Sequence, residues 1–517
     1  MLHAHLPAKG IALAAALLLT TLQAQTLGQP PDLSTVRLPK TADTQFDALA
    51  PVGTSILGPN TRPIDLDSAL RLGGVRSPEL MIARERLTEA AAVRQFAAAQ
   101  LLPNINAGSN YDDHTGNLQQ STGALLSVHR QSLYLGAGAG AIGAGTVTIP
   151  GVVWNQQLSE LLFNNLISQQ AVVQRDFALE ATRNNVLLQV AVGYEELLRA
   201  EGLLAVAIKN RDDTREVARL TAAYAKTGQG RQADADRAAT ELARREFDVL
   251  QSEGQVLTAS AALCRLLSLD PACRLHPIDA AVVPSAIVAE EIPIQELLAT
   301  ALLRRPELKA QQAVIRQAFL ALRAARALPF TPTVLIGYSA GTFGGGSELS
   351  PPEFGDFQGR SDFDAVAYWT LQNLGVGNVA LIREAQSRLR TENYQQIRVL
   401  DQVRDEVAEA YARAHARWFQ IGVSEKAVRI AQEAFREDLN RIRGQEGLPI
   451  EVLDSMRLLG QGRNDYLGAI LDYNRAEFEL YVALGQPPAN VLARPAPPPA
   501  ETIPPPIPEP PIAPVQK

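Results

Sequence analysis

Cysteine, tryptophan and methionine are almost missing from this 517-residue chain, with two, three and three residues. Two cysteines cannot staple a small disulfide scaffold. Cys264 and Cys273 form the one pair available: either a disulfide, which an oxidising compartment favours, or two buried thiols. Histidine is scarce as well. His3 and His5 lie at the amino terminus, and His114, His129, His276 and His415 are scattered without metal-ligand spacing. The chain has no G-x-S-x-G elbow and no phosphate loop ending in Gly-Lys-Ser/Thr, so neither a serine hydrolase nor a nucleotide-driven motor is indicated. An excess of positive charge is missing too. Lys and Arg number 48 against 55 Asp and Glu, a net charge of −7, which argues against nucleic acid as a partner. Long apolar runs are absent. Ile11–Leu19 falls well short of the roughly 20 residues a spanning helix needs. Lys9 precedes that run and small residues follow it to Ala24, the pattern of a secretory signal over 1–24, with an uncleaved anchor as the other reading.

What is present is ordinary for a folded protein: 46 % hydrophobic and 20 % charged residues. Proline is missing from 151–270 and again from 353–448, as long helices require. Apolar residues step by three or four through Val186, Val190, Gly193 and Leu197, and through Val403, Val407, Ala410, Ala414 and Trp418, as in a coiled coil. Other apolar residues lie off this seam, so the helices are expected to pack on two sides. Glycines at Gly228 and Gly230, and at Gly444 and Gly447 followed by Pro449, mark stops and starts. The helices are therefore placed at about 158–228, 232–268, 378–444 and 449–484, the long ones reaching about 100 Å.

The pattern repeats. Leu66–Leu80 aligns with Ile294–Leu308, both ending in Pro-Glu-Leu. Val190-Ala-x-Gly-Tyr194 aligns with Val407-Ala-x-Ala-Tyr411. Recurrence in the same order indicates tandem duplication. Each half carries strand-like segments before its long helix: Asn104–Tyr111 with Thr146–Ile149, and Thr333–Ala340 with Phe363–Trp369. Such alternation fits a half-buried soluble sheet or a membrane barrel with a wet interior. The export signal, the long helices, and Trp154 and Trp369 near strand ends favour the barrel. Four strands cannot close a barrel, and open edges in lipid are forbidden, so copies must combine. Three copies supply twelve strands and leave a lumen.

The ordered recurrence of a Pro-Glu-Leu helix, two strands, a long helix, a glycine turn and a return helix over about 62–486 resembles the TolC-type outer-membrane efflux protein family. The resemblance implies a mainly α chain with membrane β-barrel strands. Its assembly is a trimeric α-helical barrel tunnel topped by a 12-stranded β-barrel, four strands per chain, with an internal two-fold repeat. The domains follow: signal peptide 1–24, N-terminal extension 25–62, first repeat 63–285, second repeat 286–486 and a Pro-rich tail 487–517. The implied function is a passive outer-membrane exit duct for drugs or other small toxic compounds, without enzymatic activity or cofactor. Its implied partners are two further copies, outer-membrane lipid, a periplasmic adaptor and an inner-membrane pump. A type I protein-secretion duct shares the architecture, and a soluble periplasmic coiled-coil scaffold is the competing class.

In that family the glycine turns form the periplasmic tip that meets the adaptor, here Gly228, Gly230, Gly444 and Gly447. Acidic residues after the turns correspond to Asp234, Glu451 and Asp454. Glu451 and Asp454 are three apart and share a helix face, so three copies imply a carboxylate ring at a selectivity gate. The other reading is a pair of acids that favour a helix start. Pro449 replaces an Arg that helps lock the tip in some relatives, which leaves Arg441 or Arg443 as substitutes. Gly138-Ala-Gly-Ala-Ile-Gly143 fits G-x-G-x-x-G, but a strand-like run follows it instead of a helix, so a loop beside a barrel strand is expected. Residues 112–144 are read as a glycine-rich extracellular segment.

Overall fold

The computed structural model describes residues 61–140, 147–279, 281–444 and 447–486. The signal 1–24, all of the extension 25–62 but its last two residues, and the tail 487–517 lie outside the described residues. Thr61 and Arg62, the last two residues of that extension, are described. They belong to β1 (Thr61–Ile64), which pairs in parallel with β7 (Arg274–Pro277).

The described chain is mostly helical. Helices α1 (Leu66–Arg76) and α2 (Pro78–Ala99) are separated by Ser77, and α5 (Ile294–Arg304) and α6 (Pro306–Ala327) by Arg305. Each break is set by the proline of Pro-Glu-Leu, which opens a new helix and cannot continue the old one. Leu80 and Leu308 of those motifs are buried. The long helices are α3 (Leu158–Lys226) and α7 (Val376–Arg443), and each turns back into a 35-residue partner, α4 (Gln232–Leu266) and α8 (Pro449–Ala483). At 1.5 Å per residue, the 69 residues of α3 extend about 100 Å. The Gln157 side chain starts α3 by accepting from the Glu160 amide at 3.1 Å.

The coiled-coil seam is where the core sits. Val186, Val190 and Leu197 are buried with Leu187, Tyr194, Leu263 and Leu267, against α1 and α4. Val403, Val407, Ala410 and Ala414 are buried against Leu297, Ala301 and Leu480. Trp418 is only half-buried and rests on the Tyr473 ring at 5.2 Å. The stretch between the halves, 278–293, has no regular element among its described residues and is held by α8. Asn474 Oδ1 accepts from the Ser285 amide at 2.8 Å, and Glu477 Oε2 accepts from the Ile287 and Val288 amides, each at 2.8 Å.

Apart from the β1–β7 pair, the strands form one sheet of four lanes. Lane one is β2 (Asn104–Ile105) with β3 (Ala107–Gln119). Lane two is β4 (Leu125–Ala139), continued by β6 (Val152–Gln157). Lane three is β8 (Thr333–Ser347) and lane four β9 (Ser350–Tyr368). β4 and β6 share a lane because both pair with β8, with Arg130–Ala137 against Ser347–Ala340 and Val152–Gln157 against Tyr338–Thr333. The segment expected to be an extracellular loop is corrected here. Most of 112–144 is strand, in the long β3–β4 hairpin. The expected strand Thr146–Ile149 shifts likewise, to β5 (Ile149–Pro150) and β6.

The Cys264–Cys273 bridge is not formed. Cys264 is buried in α4, and both its thiol, at 3.4 Å, and the Ser260 hydroxyl, at 3.3 Å, donate to the Cys273 carbonyl oxygen. The turn after α4 thus presents the backbone of Cys273 to Cys264.

Glu195 on α3 is buried, and its Oε2 has no hydrogen-bond partner among the described residues. Burial first, then the charge of Asp279, push its carboxyl up to about 7, against opposing contributions from Asn474 and Arg199. A carboxyl raised on folding binds extra protons in the native state, so its stabilisation is present at low pH and lost as pH rises from the unfolded value to about 7. The loss is about 3 kcal/mol at ~1.4 kcal/mol per pH unit. Thermal melts of the native chain are therefore expected to drop between about pH 5 and about pH 7.5, and those of Glu195→Gln to stay flatter. Parallel pH profiles for the two would contradict this.

Candidate functional site

The tip turns join α3 to α4 and α7 to α8. In the first turn the Gln229 amide donates to the Tyr224 carbonyl at 3.0 Å and the Gly228 amide to the Ala225 carbonyl at 3.3 Å, the two hydrogen bonds of a Schellman helix end. In both turns a glycine amide also reaches back six residues, Gly230 to Tyr224 at 3.0 Å and Gly447 to Arg441 at 3.2 Å. Gly228 has φ +74°, a conformation that glycine adopts without a Cβ penalty. Gly444 ends α7 in ordinary right-handed geometry.

Two contacts tie the hairpins together near their ends. The Tyr224 hydroxyl of α3 donates to the Ile442 carbonyl at 3.0 Å, in the last turn of α7 where carbonyls lack the next turn's amides. Arg443 pairs with Glu216 of α3. Beneath them Val217, Phe435, Ile442, Val452, Met456 and Leu459 form a small core of their own.

The predicted acids all sit at helix starts flanking the gap between α4 and α8. Asp234 opens α4, pairs with Arg237 at 3.2 Å and lines a groove of about 750 Å³ with Tyr224, Arg231 and Ile450. Glu451 and Asp454 line the adjoining groove with Asp236 and Arg457. Each has an arginine: Glu451 pairs with Arg441 at 3.3 Å, and Asp454 with Arg457 at 3.0 Å. Arg441 also lies 3.8 Å from Asp438. Sequence reasoning named Arg441 and Arg443 but missed Tyr224 and Glu216, whose partners lie on a helix more than 200 residues away. Among the described residues no group of three or more His, Cys, Asp or Glu is placed to hold a metal.

The sheet is the second functional surface. Paired residues of antiparallel strands share a face. One face collects Ile105, Tyr111, Leu133, Leu135, Val152, Trp154, Val334, Ile336, Tyr338 and Phe363. The other collects Asn110, Asp112, His114, Arg130, Asn155, Arg360, Asp362 and Asp364. The apolar face is open: Tyr111 and Leu135 are each 56 % exposed and Phe363 is 68 % exposed. Along β8 it runs from Val334 to Gly344, ten steps of about 3.4 Å; at a tilt of about 40° it is roughly 25 Å tall, the height of a membrane barrel's lipid-facing band. Aromatic rings mark its limits. Tyr111, Phe354 and Phe357 meet edge to face at one end, and at the other Trp154 donates its indole N–H to the Gln100 carbonyl at 3.2 Å. Past the upper limit the same face turns polar, with His129 against Asp113 at 2.9 Å. No helix is long and apolar enough to cross a membrane among the described residues. Among the described residues nothing pairs with either sheet edge, the outer side of β2 with β3 and that of β9.

No protein-family model matches the chain, and no curated protein does. Solved structures do match. CusC, whose structures are described in terms of folding and transmembrane channel formation, superposes with a TM-score of 0.65 at 19 % identity, covering 84 % of this chain and 95 % of that one. The outer membrane channel CmeC of Campylobacter jejuni gives 0.67 at 13 % identity, covering 81 % and 85 %. The outer membrane protein VceC of Vibrio cholerae gives 0.65 at 17 %, covering 81 % and 96 %. The chain thus has the fold of these outer-membrane channels, and the resemblance carried by its repeated motifs holds at that level.

The tip contacts are directly testable. Tyr224→Phe removes a hydrogen bond worth ~1 kcal/mol, so amides in the last turn of α7 are expected to exchange with deuterium about fivefold faster. Unchanged exchange there would show that Tyr224 does not hold the hairpins together.

Proposed function

We propose that three copies of this chain pool their four-lane sheets into one 12-stranded barrel in the outer membrane, with their helices forming a tunnel in the periplasm. The observation that carries this reading is the sheet: one apolar face of membrane height, one charged face, and two open edges. An edge in lipid would leave a row of unpaired N–H and C=O groups, each costing several kcal/mol. Closing the edges chain to chain removes that cost. The helices also leave apolar side chains exposed off the seam, among them Leu162, Phe247, Leu250, Ile397 and Val423, as expected of staves that meet neighbours on a second side.

The assembly acts as a passive exit duct of a tripartite efflux system for small toxic compounds, with an adaptor at the glycine turns and an inner-membrane pump as the energy source. Support comes from the shared fold and from the polar sheet face, which gives a wet, weakly selective lumen. Tandem duplication accounts for helices that pair off in length: 11 and 22 residues in each half, then 69 with 35 and 68 with 35. The boundaries 63–285 and 286–486 fit that duplication, since the stretch bound by Asn474 and Glu477 joins the two sets. A soluble scaffold is disfavoured by the broad exposed apolar face.

Membrane fractionation tests the placement. The protein is expected to resist high salt and alkaline carbonate and to need detergent for release; release by salt alone would sink the barrel. A deletion strain is expected to gain susceptibility to small toxic compounds; loss of one secreted protein instead would move the reading to type I secretion.

At the tip, threefold symmetry gathers Glu451 and Asp454, with Asp234 nearby, into a ring that draws cations. Arg441 and Arg457 offset part of that charge. Glu451→Ala with Asp454→Ala is expected to raise the divalent-cation concentration that half-blocks single channels about tenfold, ~1.4 kcal/mol. Unchanged block would leave the acids as helix-start residues.

A further inference from the structure

Lane two contains an interruption that its neighbours reveal. Ala137 pairs with Ala340 and Val152 with Tyr338, so only Ser339 of β8 separates the two pairs. A continuous strand would place one residue there, whereas this chain places residues 138–151. The described ends of the excess leave the sheet paired with each other, Gly138 against Pro150 and Ala139 against Ile149. Gly138 (φ +107°) and Gly140 (φ +81°) let the chain turn out of the lane. Asn106 of lane one pins the mouth: its amide donates to the Gly151 carbonyl at 2.6 Å, its carbonyl accepts from the Gly138 amide at 3.0 Å, and its side chain donates to the Pro150 carbonyl at 2.8 Å.

The stem lies on the charged face. Pro150 sits over Gly337, where a Cβ would approach it to 2.8 Å, and the Tyr134 ring fills the space over Gly341. Both glycines belong to the face of Arg360, Asp362 and Asp364. Val147 returns onto Tyr134 and Phe343 as a small apolar cluster. Burial agrees: Tyr134 is 0 %, Ser339 1 % and Val147 2 % exposed, whereas Leu135, next to Tyr134 but on the apolar face, is 56 % exposed. The Tyr134 hydroxyl donates to the Ala137 carbonyl at 2.8 Å, and Thr148 bonds the Gly140 carbonyl. The stem is built into the sheet by both backbone and side chains.

We propose that this stem, Gly138–Gly140 with Val147–Gly151, projects into the barrel lumen, where three copies narrow the conducting path at mid-barrel and set the largest solute that passes. The proposal rests on the duct reading, because that reading makes the charged face the inside. It assigns a size-determining element to the chain's own barrel wall, separate from the helical tip.

Single-channel recording in planar bilayers tests it. Ile149, on the stem and 52 % exposed, is changed to cysteine and treated with a membrane-impermeant methanethiosulfonate, with the parent chain carrying Cys264 and Cys273 as control. Modification is expected to lower the conductance of Ile149→Cys in steps and leave the parent unchanged. Modification complete by mass without a conductance change, or no reaction, overturns the proposal. A second variant replaces 138–151 by a single glycine, which preserves the pairing on either side of Ser339. Its conductance, and the size of polyethylene glycol admitted, are expected to rise; parent-like values overturn the proposal. If the parent itself forms no channels, the duct reading falls first. If the parent conducts and neither variant responds, only the lumenal stem is refuted.

Discussion

A peptide backbone in hydrocarbon must pair every N–H and C=O with another peptide group, and this requirement governs the rest of the molecule. The four-lane sheet meets it internally between lanes and fails at two edges. In the proposed barrel, its apolar face and aromatic limits would set those edges at membrane depth. A sheet of this kind is stable only as part of a closed cylinder, and closure calls for further copies of the chain. The long helices follow from the same demand. Leu158 begins α3 directly after β6, and α7 begins at Val376 shortly after β9 ends at Tyr368, so the proposed ring of sheets would carry a ring of helices beneath it.

The two halves divide the work. The seam residues Val190, Leu197, Val407 and Ala410 pack each hairpin and its short helices, while the stretch 278–293 is fastened by Asn474 and Glu477 of the last helix. The far ends of the hairpins have a core of their own and are joined by Tyr224, Ile442, Arg443 and Glu216. Those contacts are few and partly exposed, which suits the opening end of the proposed tunnel. The sheet end is by contrast held by long backbone ladders, β3–β4 and β8–β9, broken in lane two only by the excursion between β4 and β6, which suits the barrel role proposed for it.

The helices were legible in the sequence because proline and glycine act locally. The helix expected at 449–484 is Pro449–Ala483, and that expected at 158–228 is Leu158–Lys226. The first strand of each half was legible where one face is apolar and the other polar, as at Thr333–Ala340. β4 was not, because Leu133, Tyr134 and Leu135 are all apolar: two face outward, while Tyr134 is covered from the other side by the hairpin stem, so alternation is lost. The stem itself is invisible without β8, since only Ala340 and Tyr338 show that residues are in excess. At the tip, Gly228 was read from turn signals and Asp234, Glu451 and Asp454 only through the family resemblance, while their arginine partners and the Tyr224 contact depend on how helices meet. The spacing of Cys264 and Cys273 likewise says nothing of which atoms face each other.

The central claim is one of number: a single chain holds too little sheet to close, and three chains hold enough. The mass of the particle released from membranes in mild detergent, corrected for bound detergent, measures this directly. The account predicts a uniform species of three chains, close to three times the 55.7 kDa of the full sequence less any cleaved leader. A uniform, stable species of one chain would contradict it.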